Sequence, residues 1–275
     1  MCRLLAYWGP PVSVPELIVA PAHSLLVQCR ASRLQTSGHE NPDGWGLAWY
    51  ADDDRAGPGE PVPARYRSAD PMPTDAAGLA RLADLRAGRF VAHVRHKSPG
   101  SPTEVAGNAP FVRGRLAFAH NGFVAGYRDG RRQRLRARLS PEVRATIDGD
   151  ADSEVVFGLV LDRLRAGDDL VGALGAVVVD LADVTVPDDD PRPADQRGGK
   201  YNTVLTDGRQ LVATRWGNSL FLRRDVPEPG AVIVASEPYD DDADWQEVPD
   251  HSLVRVTADA IELDHLGPTP LEVHP

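Results

Sequence analysis

Cys2 stands directly after the first methionine, a position that can give a cysteine its own base. Because the cysteine side chain is small, we expect removal of Met1, which would leave the thiol and an α-amine on the same carbon. Their reference pKa values are about 8.5 and about 7.7–8.0, so part of the amine is unprotonated near neutral pH and can accept the thiol proton. A cysteine at position two is more often incidental, so an N-terminal nucleophile is predicted only where other residues support it.

A pair of hydrogen-bond donors at the end of an apolar run is the first support. The segment Ala119-His120-Asn121-Gly122 ends where the chain is expected to turn, so the Asn121 amide and the Gly122 N–H can project together. Two donors about 3 Å from a developing oxyanion are worth roughly 2.7–4 kcal/mol each in a dry site. Asn-Gly is also a typical hairpin turn, and this alternative stays open on the local sequence alone.

Arg95 and Asp152 carry the charges that hold an amino-acid head group. Arg95 ends an apolar run ahead of a Ser-Pro-Gly loop, where its guanidinium can bind a carboxylate through two hydrogen bonds or form a surface ion pair. Asp152 begins a predicted helix, where it can receive an ammonium group or act as the N-cap. His93 and His96 have no acidic or cysteine partner at a recognisable ligand spacing, so we predict no metal site.

Five separated motifs follow one another along the N-terminal two thirds of the chain. No single motif decides the matter, but their shared order makes coincidence a poor explanation. Together they resemble the class II glutamine amidotransferases, which belong to the N-terminal nucleophile hydrolases. The motifs are Met1-Cys2-Arg3, Asn41-Pro42-Asp43-Gly44-Trp45-Gly46, the segment from Arg95 to Phe111, His120-Asn121-Gly122 and Asp152-Ser153-Glu154.

This resemblance implies both a fold and a role for each residue. The implied fold is an α+β, four-layer αββα sandwich. The implied catalytic residues are Cys2 as the nucleophile that attacks a γ-carboxamide, with Asn121 and Gly122 as the oxyanion hole. Arg95 is implied to hold the α-carboxylate of the substrate, and Asp152 its α-ammonium. No cofactor is expected.

Two positions in the Arg95 segment depart from the family's usual pattern. Ser98 stands where a threonine is usual, and it keeps the hydroxyl that helps to bind the α-carboxylate. Lys97 stands where a small residue is usual. The run from Asn108 to Phe111 resembles a turn of the family whose expected role is structural.

Further segments resemble a branch of the family that works in ergothioneine biosynthesis, and this similarity runs over nearly the full length. Members of that branch remove glutamate from γ-glutamyl-hercynylcysteine sulfoxide, so their leaving group is a large substituted cysteine and not ammonia. The resemblance implies a small γ-glutamyl substrate as the partner of this chain. The segments are Met1 to Tyr7 with Gly9-Pro10-Pro11, Pro21 to Gln28, and Ala235-Ser236-Glu237-Pro238 with Trp245.

A large leaving group requires an open side to the site, which aromatic residues can line because aromatic faces attract quaternary ammonium groups. The alternative is that these rings fill the core. The acidic tract from Asp240 to Asp244 either adds attraction for a cation or forms a solvated loop. The aromatic residues in question are Trp45, Trp216, Tyr239 and Trp245.

Two other functions stay open on the sequence. An amidotransferase subunit would pass ammonia to a partner synthase, since only about one hundred residues follow the last motif helix, too few for a synthase domain of its own. A non-catalytic binding or redox module would use Cys2 and Cys29 as a thiol pair or as core residues. That second reading gives no reason for the other motifs.

The elements that must position these residues are strands alternating with helices, followed by more strands. Helices are predicted at Pro15 to Cys29 with a break at Pro21, Thr74 to Ala87, Asp152 to Arg165 and Asp168 to Val179. Strands are predicted at Arg3 to Tyr7, Trp45 to Tyr50, Arg89 to Arg95, Arg115 to His120, Tyr201 to Thr206, Leu211 to Arg215, Ser219 to Leu222, Ala231 to Ala235, Leu253 to Val256 and Ile261 to Leu263.

The composition excludes several classes of protein. The chain has 275 residues and a formal net charge of −10, which argues against nucleic acid as a partner. Two cysteines exclude a disulfide framework, and no apolar run is long enough for a membrane span, nor is a secretory signal recognised. We therefore expect a soluble cytoplasmic protein that does not bind membranes, and the oligomeric state is left open.

The chain contains no internal repeat and no obvious linker. We expect one domain over residues 1–275, with a motif-bearing part at 2–166 and a mainly β part at 200–265. The arginine-rich stretch from Arg128 to Arg138 predicts a solvated helix face, with an anion-binding patch as the alternative.

Overall fold

The structure is a computed structural model that describes residues 1–36, 38–51, 61–98, 101, 104–183 and 197–267. The strands are β1 (Arg3–Ser13), β2 (Trp45–Tyr50), β3 (Ala64–Ser68), β4 (Arg86–Val94), β5 (Phe111–Arg113), β6 (Leu116–Phe123), β7 (Lys200–Thr206), β8 (Leu211–Arg215), β9 (Phe221–Arg224), β10 (Val232–Ala235), β11 (Gln246–Glu247), β12 (Ser252–Val256) and β13 (Ile261–His265). The helices are α1 (Pro15–Ile18), α2 (Leu25–Gln28), α3 (Ala76–Leu82), α4 (Arg132–Arg138), α5 (Pro141–Arg144), α6 (Asp152–Arg165) and α7 (Leu170–Ala182).

The described strands form two antiparallel sheets, and each sheet takes strands from both halves of the chain. Sheet A has the order β11-β9-β10-β1-β4-β2-β3, and sheet B has the order β13-β12-β8-β7-β6-β5. The first strand therefore lies between a strand from the motif-bearing part and one from the C-terminal part, with Leu5 opposite both Ala92 and Ala235. The segment that carries Cys2 is therefore held in place by β10, a strand of the C-terminal part.

The two sheets face each other, and helices cover their outer faces. β1 and β4 of sheet A contact β6 of sheet B, while α6 and α7 pack on the outside of sheet B. The short helices α1 and α2 lie against β1 and β4 on the outside of sheet A. This arrangement is the predicted αββα sandwich, and the α+β fold class is confirmed.

Most predicted elements are present, with shifted ends. The hairpin of β7 and β8 and the helix α6 are found as predicted. The segment from Pro15 to Cys29 forms the two four-residue helices α1 and α2, and the predicted break at Pro21 lies between them. The helix expected from Thr74 to Ala87 ends at Leu82, since β4 begins at Arg86; Asp75 is its N-cap and accepts a hydrogen bond from the Gly78 N–H at 2.8 Å.

The arginine-rich stretch is used for contacts within the chain. Arg128 and Arg132 both pair with Asp150, at 3.3 and 2.6 Å. Arg131 is buried, and its guanidinium donates to the backbone oxygens of Ala125 and Leu181. The prediction of a solvated face is therefore wrong for Arg131, and the other two arginines hold the turn before α6. None of the described helices is long and apolar enough to cross a membrane.

Candidate active site

A small cavity lies where the ends of β4 and β6 meet the start of α6. Its walls contain five of the six predicted site residues: Cys2, Arg95, Ser98, Gly122 and Asp152. The space left between these side chains is small, about 20 Å³. A larger groove of about 570 Å³ lies between α5, α6 and β6, and none of the predicted site residues lines it.

Cys2 is buried at the start of β1, beside the chain terminus. Its Sγ lies 3.4 Å from the backbone N of His96 and 3.5 Å from the backbone O of the same residue. Burial raises the pKa of the Cys2 thiol, against the N-terminal ammonium, the His96 N–H and Arg95, which lower it. Burial also lowers the pKa of the Met1 ammonium to about 6. Both shifts favour a neutral amine beside a neutral thiol.

Arg95 follows the end of β4 and is almost fully buried, so the alternative of a surface ion pair is wrong. Its backbone N donates to the Gly44 O at 2.8 Å, and its Nη1 donates to Asn108 Oδ1 at 3.0 Å. Asn108 is fixed in turn by a 2.6 Å bond from its Nδ2 to the Ser68 O. A Cβ on Gly107 would lie 2.8 Å from Arg95 Nη2, so only glycine leaves room for this guanidinium position.

Hydrogen bonds and an ion pair join the loop before β2 to the segment after Arg95. Lys97 donates its backbone N–H to Asp43 Oδ2 at 3.0 Å and pairs through Nζ with Oδ1 at 3.3 Å. His96 Nδ1 lies 2.8 Å from the Glu40 O. Ser98, half-buried, follows these contacts on the cavity wall. Lys97 therefore has a structural partner at the position where the family pattern has a small residue.

Asp152 is the first residue of α6, and the N-cap is Ala151, so the N-cap alternative for Asp152 is wrong. Its Oδ2 accepts from the Val124 N at 2.9 Å, and its Oδ1 accepts from the Ser153 N at 2.8 Å. A carboxylate in the first turn of a helix is favoured by the exposed N–H groups there. The helix therefore holds a negative charge on the wall of the cavity that Arg95 also lines.

Asn121 and Gly122 lie inside β6, opposite Asn202 and Tyr201 of β7, so the hairpin-turn alternative is wrong. Gly122 reaches the cavity wall, where an added Cβ would lie 1.8 Å from the Lys200 O. Asn121 is fully buried and is absent from the cavity lining. Its Nδ2 donates to Ser236 Oγ at 3.1 Å, beside the residues of β1 that follow Cys2.

Two buried histidines lie against the same cavity, and sequence reasoning assigned neither of them a role in it. His120 is bonded through Nδ1 to Ser153 Oγ at 2.9 Å and through Nε2 to the Lys200 O at 2.8 Å. Burial lowers the pKa of His120, although Asp152 opposes the shift. Burial lowers the pKa of His93 to about 3, and its Nε2 lies 3.3 Å from the His120 O. Both rings are therefore neutral near pH 7.

The structure also contains a charged network beside Cys2 that was not predicted from the sequence. Arg3 and His23 both pair with Glu237, at 3.3 and 2.7 Å, and all three side chains are buried. The backbone N–H groups of Arg33 and Leu34 donate to the same carboxylate. Burial alone would raise the pKa of Glu237, but His23, Arg3 and the two N–H groups hold it below its usual range. No periodicity or spacing marks this network, because Glu237 is more than 200 residues from each of its partners.

None of the four predicted aromatic residues lines the cavity. Trp45 is buried and donates its indole N–H to Asp75 at 3.0 Å, while the Trp216 ring lies 4.1 Å from that of His251. Tyr239 and Trp245 pack edge to face with ring centroids 5.1 Å apart. Asp240 and Asp242 of the acidic tract pair with Arg223, which lies over both of these rings.

Comparison with known proteins identifies the family. The family model described as "Glutamine amidotransferases class-II" matches residues 1–231. The chain belongs to the class II glutamine amidotransferase family. As a member of this family it is an enzyme of the hydrolase type that acts on an amide bond, and the recognition made from the five motifs is confirmed.

Two similar relatives match this class II amidotransferase over nearly its full length. It is 33% identical over 256 residues to the γ-glutamyl-hercynylcysteine sulfoxide hydrolase of Mycolicibacterium smegmatis, covering 93% of this chain and 96% of the relative. It is 34% identical over 266 residues to the protein of the same name from Mycobacterium tuberculosis, covering 97% of each. A solved glutamine aminotransferase class-II domain protein from Silicibacter pomeroyi matches with a TM-score of 0.69 at 23% identity, over 97% of this chain and all of that one, which supports the fold.

Proposed function

We propose that this class II amidotransferase is an amidohydrolase that cleaves γ-glutamyl amides. The observation that carries the proposal is the shared cavity, whose wall contains Cys2, the buried Arg95 and Asp152. Opposite charges in one cavity with a thiol suit the α-carboxylate and α-ammonium of a glutamyl group, with its γ-carbonyl at the sulfur. Ser98 adds a hydroxyl on the Arg95 side.

The proposed substrate is γ-glutamyl-hercynylcysteine sulfoxide, and the products are glutamate and hercynylcysteine sulfoxide. Support comes from two relatives named for hydrolysis of this compound, each about one third identical and matched over more than nine tenths of its length. In this proposal the chain acts in ergothioneine biosynthesis, as a single domain over residues 1–275, in the cytoplasm. The C-terminal part, residues 200–265, supports the single domain because its strands complete both sheets.

The first chemical step transfers the γ-glutamyl group to Cys2. The amine takes the thiol proton, the sulfur attacks the γ-carbonyl carbon, and the carbonyl electron pair becomes an oxyanion held by Asn121 and Gly122. The oxyanion then re-forms the carbonyl and the C–N bond breaks, while the ammonium returns its proton to the departing amine. A γ-glutamyl thioester remains on Cys2.

The second step releases glutamate. The amine accepts a proton from a water molecule, whose oxygen attacks the thioester carbon and forms a second oxyanion in the same hole. When this intermediate collapses, the C–S bond breaks and the sulfur recovers its proton. The base in both steps is the α-amine of Cys2, whose reference pKa of about 7.7–8.0 leaves part of it unprotonated near neutral pH.

The base becomes available in this scheme only after Met1 is removed. While Met1 is attached, the nitrogen of Cys2 is part of a peptide bond and cannot accept a proton. Met1 is itself buried, so its removal also opens space next to the Cys2 nitrogen. The leaving amine has to occupy that side, because it receives its proton from this nitrogen.

Intact-mass spectrometry of the purified protein tests the proposal. We expect a chain without Met1 that gains one label from a glutamine-mimicking diazoketone, and that releases glutamate from γ-glutamyl amides. The Cys2→Ala variant should take no label, whereas Cys29→Ala, which removes a thiol bonded to the Asn41 O at 3.0 Å, should label normally. An unlabelled wild-type chain without Met1 that releases no glutamate would refute the proposal. Ammonia release that depends on a co-purifying synthase would favour an amidotransferase subunit instead.

A further inference from the structure

Asn218 lies in the turn between β8 and β9, yet its side chain is buried beneath β6. Its Nδ2 donates to the backbone O of Asn121 at 3.0 Å and lies 3.5 Å from the side-chain Oδ1 of the same residue. The two residues are 97 positions apart in the sequence. One amide group from the C-terminal part therefore contacts both carbonyl oxygens of a single residue in the motif-bearing part.

Each of these two oxygens belongs to an amide whose nitrogen is a proposed oxyanion donor. The Asn121 backbone O shares its peptide unit with the Gly122 N–H, and Asn121 Oδ1 shares its carboxamide with Nδ2. A hydrogen bond to the oxygen of an amide polarises the group and strengthens its N–H as a donor, by roughly 10–30% per bond. Asn218 is thus positioned to act on both donors of the oxyanion hole at once.

The same contacts fix the orientation of the Asn121 carboxamide. Its Nδ2 donates one hydrogen to Ser236 Oγ at 3.1 Å, and its Oδ1 faces Asn218. The Ser236 Oγ also accepts from the Leu4 N at 3.1 Å, so it cannot turn away from this pair without losing a bond to β1. The proposed oxyanion role of Asn121 requires the second hydrogen of Nδ2.

Asn218 is itself held by Asn202, which lies directly opposite Asn121 on β7. Asn202 Oδ1 accepts from the backbone N of Asn218 and of Trp216, both at 3.1 Å. Asn202 Nδ2 donates to the backbone O of Asn218 and of Ser219, also at 3.1 Å. The turn that carries Asn218 is therefore clamped to the strand beside β6.

The unpaired end of Asn218 indicates which of its groups is needed. Among the described residues its Oδ1 is buried and has no hydrogen-bond partner, a loss that typically costs about 1–3 kcal/mol. Rotating the amide by half a turn would set this oxygen against the Asn121 O, so the contacts fix the assignment of N and O. The side chain of Asn218 thus makes hydrogen bonds through its NH2 group, while its buried oxygen has none in the described part of the chain. This is expected where the residue orients the oxyanion donors and does not stabilise the fold.

We propose that Asn218 is a positioning residue for γ-glutamyl transfer to Cys2, acting through both donors of the oxyanion hole. This inference rests on the proposed function, because it takes the oxyanion roles of Asn121 and Gly122 from it. Asn218 touches neither the cavity nor the sulfur, so it does not contribute to binding of the α-carboxylate and α-ammonium. Its effect is confined to steps that form or collapse an oxyanion.

The test compares Asn218→Asp with wild type after both have been shown to lack Met1. The substitution keeps the shape and replaces the donor by an acceptor. We expect kcat on a γ-glutamyl amide to fall about 10- to 100-fold with KM within twofold, less than the roughly 10²- to 10³-fold loss from deleting a donor. Alkylation of Cys2 by iodoacetamide, which forms no oxyanion, should keep its wild-type rate.

Two further variants separate positioning from a general structural effect. Thr214→Val removes buried bonds on β8, the strand that leads into the turn of Asn218, from Oγ1 to the Tyr201 O at 2.7 Å and to Thr203 Oγ1 at 2.6 Å, without touching Asn121. This variant should have a lower free energy of unfolding than wild type but the same kcat. Asn218→Ser, whose hydroxyl can donate to only one acceptor, should have a kcat between those of wild type and Asn218→Asp, and it decides the question if the aspartate variant does not fold.

The results that would contradict the role of Asn218 differ from those that would contradict the proposed function. An unaltered kcat in Asn218→Asp and Asn218→Ser, with an active wild type, would overturn only the role of Asn218. Equal losses in kcat and in the iodoacetamide rate would also overturn it, because they indicate a displaced Cys2. A wild type that releases no glutamate from γ-glutamyl amides would refute the proposed function before any variant is compared.

Discussion

Arg95 combines three features that a surface arginine does not have. It is buried, a neighbouring asparagine oxygen fixes its Nη1, and a glycine lies against its guanidinium plane. Its planar set of donors suits a carboxylate that binds through both oxygens, whereas a lysine would present a single point charge. At the residue scale, the recognition of glutamate by charge rests on this side chain and on Asp152.

Arg95→Lys should therefore weaken substrate binding more than it slows chemistry. We expect kcat/KM for a γ-glutamyl amide to fall about 10- to 100-fold, mainly through KM, because the positive charge remains but the paired hydrogen bonds are lost. Arg86→Lys is the matched control, since Arg86 lies exposed at the other end of β4, where its guanidinium donates to the Pro11 O. Steady-state kinetics measure both variants, and equal values for the two would contradict the assignment.

His93 makes folding stability depend on pH. Its pKa is about 3 in the folded chain and about 6.5 when unfolded, so between these values only the unfolded chain takes up the proton. This contribution is complete above pH 6.5 and is lost as the pH falls, by about 2 kcal/mol at pH 5.

Urea unfolding at pH 7 and pH 5 measures this effect. We expect His93→Gln to lose about 2 kcal/mol less than wild type on acidification. His265→Gln, on the exposed edge strand β13, should behave like wild type. An unchanged pH dependence in His93→Gln would mean that this ring is not the group that resists protonation.

The turn that follows the Arg95 segment acts at the scale of an element. Gly107 ends the 3-10 turn Val105–Gly107, and Arg95 rests against it, so the turn sets where the guanidinium lies. The neighbouring Asn108 joins this turn to both Arg95 and the end of β3 through Ser68. Three segments that are distant in sequence therefore together determine the position of the Arg95 side chain.

Gly107→Ala should displace the guanidinium without removing it. The new Cβ would lie 2.8 Å from Arg95 Nη2, so the side chain has to move by several tenths of an ångström. We expect KM for a γ-glutamyl amide to rise about 10- to 100-fold, as is typical when a positioning group is displaced. Gly198→Ala is the control, because an added Cβ there meets nothing within 4 Å. A KM equal to that of the control would show that the turn does not position Arg95.

At the scale of the whole molecule, the C-terminal part holds the start of β1 through charge as well as through strand pairing. Glu237, just after β10, binds Arg3 and His23, and it accepts the backbone N–H groups of Arg33 and Leu34. Arg3 is the residue next to Cys2, so this carboxylate fixes the segment that carries the nucleophile. Removing one partner from such a buried pair leaves an uncompensated charge.

Glu237→Gln should lower the free energy of unfolding by about 3–5 kcal/mol, because Arg3 would stay buried without its counter-charge. Asp241→Asn is the matched control in the same loop, since its ion pair with Arg33 is exposed and should contribute at most about 1 kcal/mol. Urea unfolding at constant pH compares the two variants. A loss in Glu237→Gln no larger than in the control would mean that the buried pair does not stabilise the fold.

Local patterns were sufficient to predict elements whose residues lie close together in the sequence. The helix α6, with bounds Asp152–Arg165, and the hairpin of β7 and β8 follow from apolar periodicity and an Asp-Gly turn. The predictions were wrong where contacts with a segment distant in the sequence determined the local structure. Asn121 and Gly122 look like a turn but lie in β6, because β7 pairs with them. Trp45, one of the four aromatic residues considered for the leaving-group side, instead donates to Asp75 within the core, as the alternative predicted.

A cysteine at position two, followed by separated motifs in a set order, was enough to predict the family and with it the αββα class. The side chains that support those motifs became visible only in the folded chain: Asn218 contacts Asn121, Glu237 pairs with Arg3, and Gly107 lies against Arg95. These contacts depend on the register and packing of strands that come together from distant parts of the chain. Short-range periodicity carries the tendency to form a strand but not the identity of its neighbour.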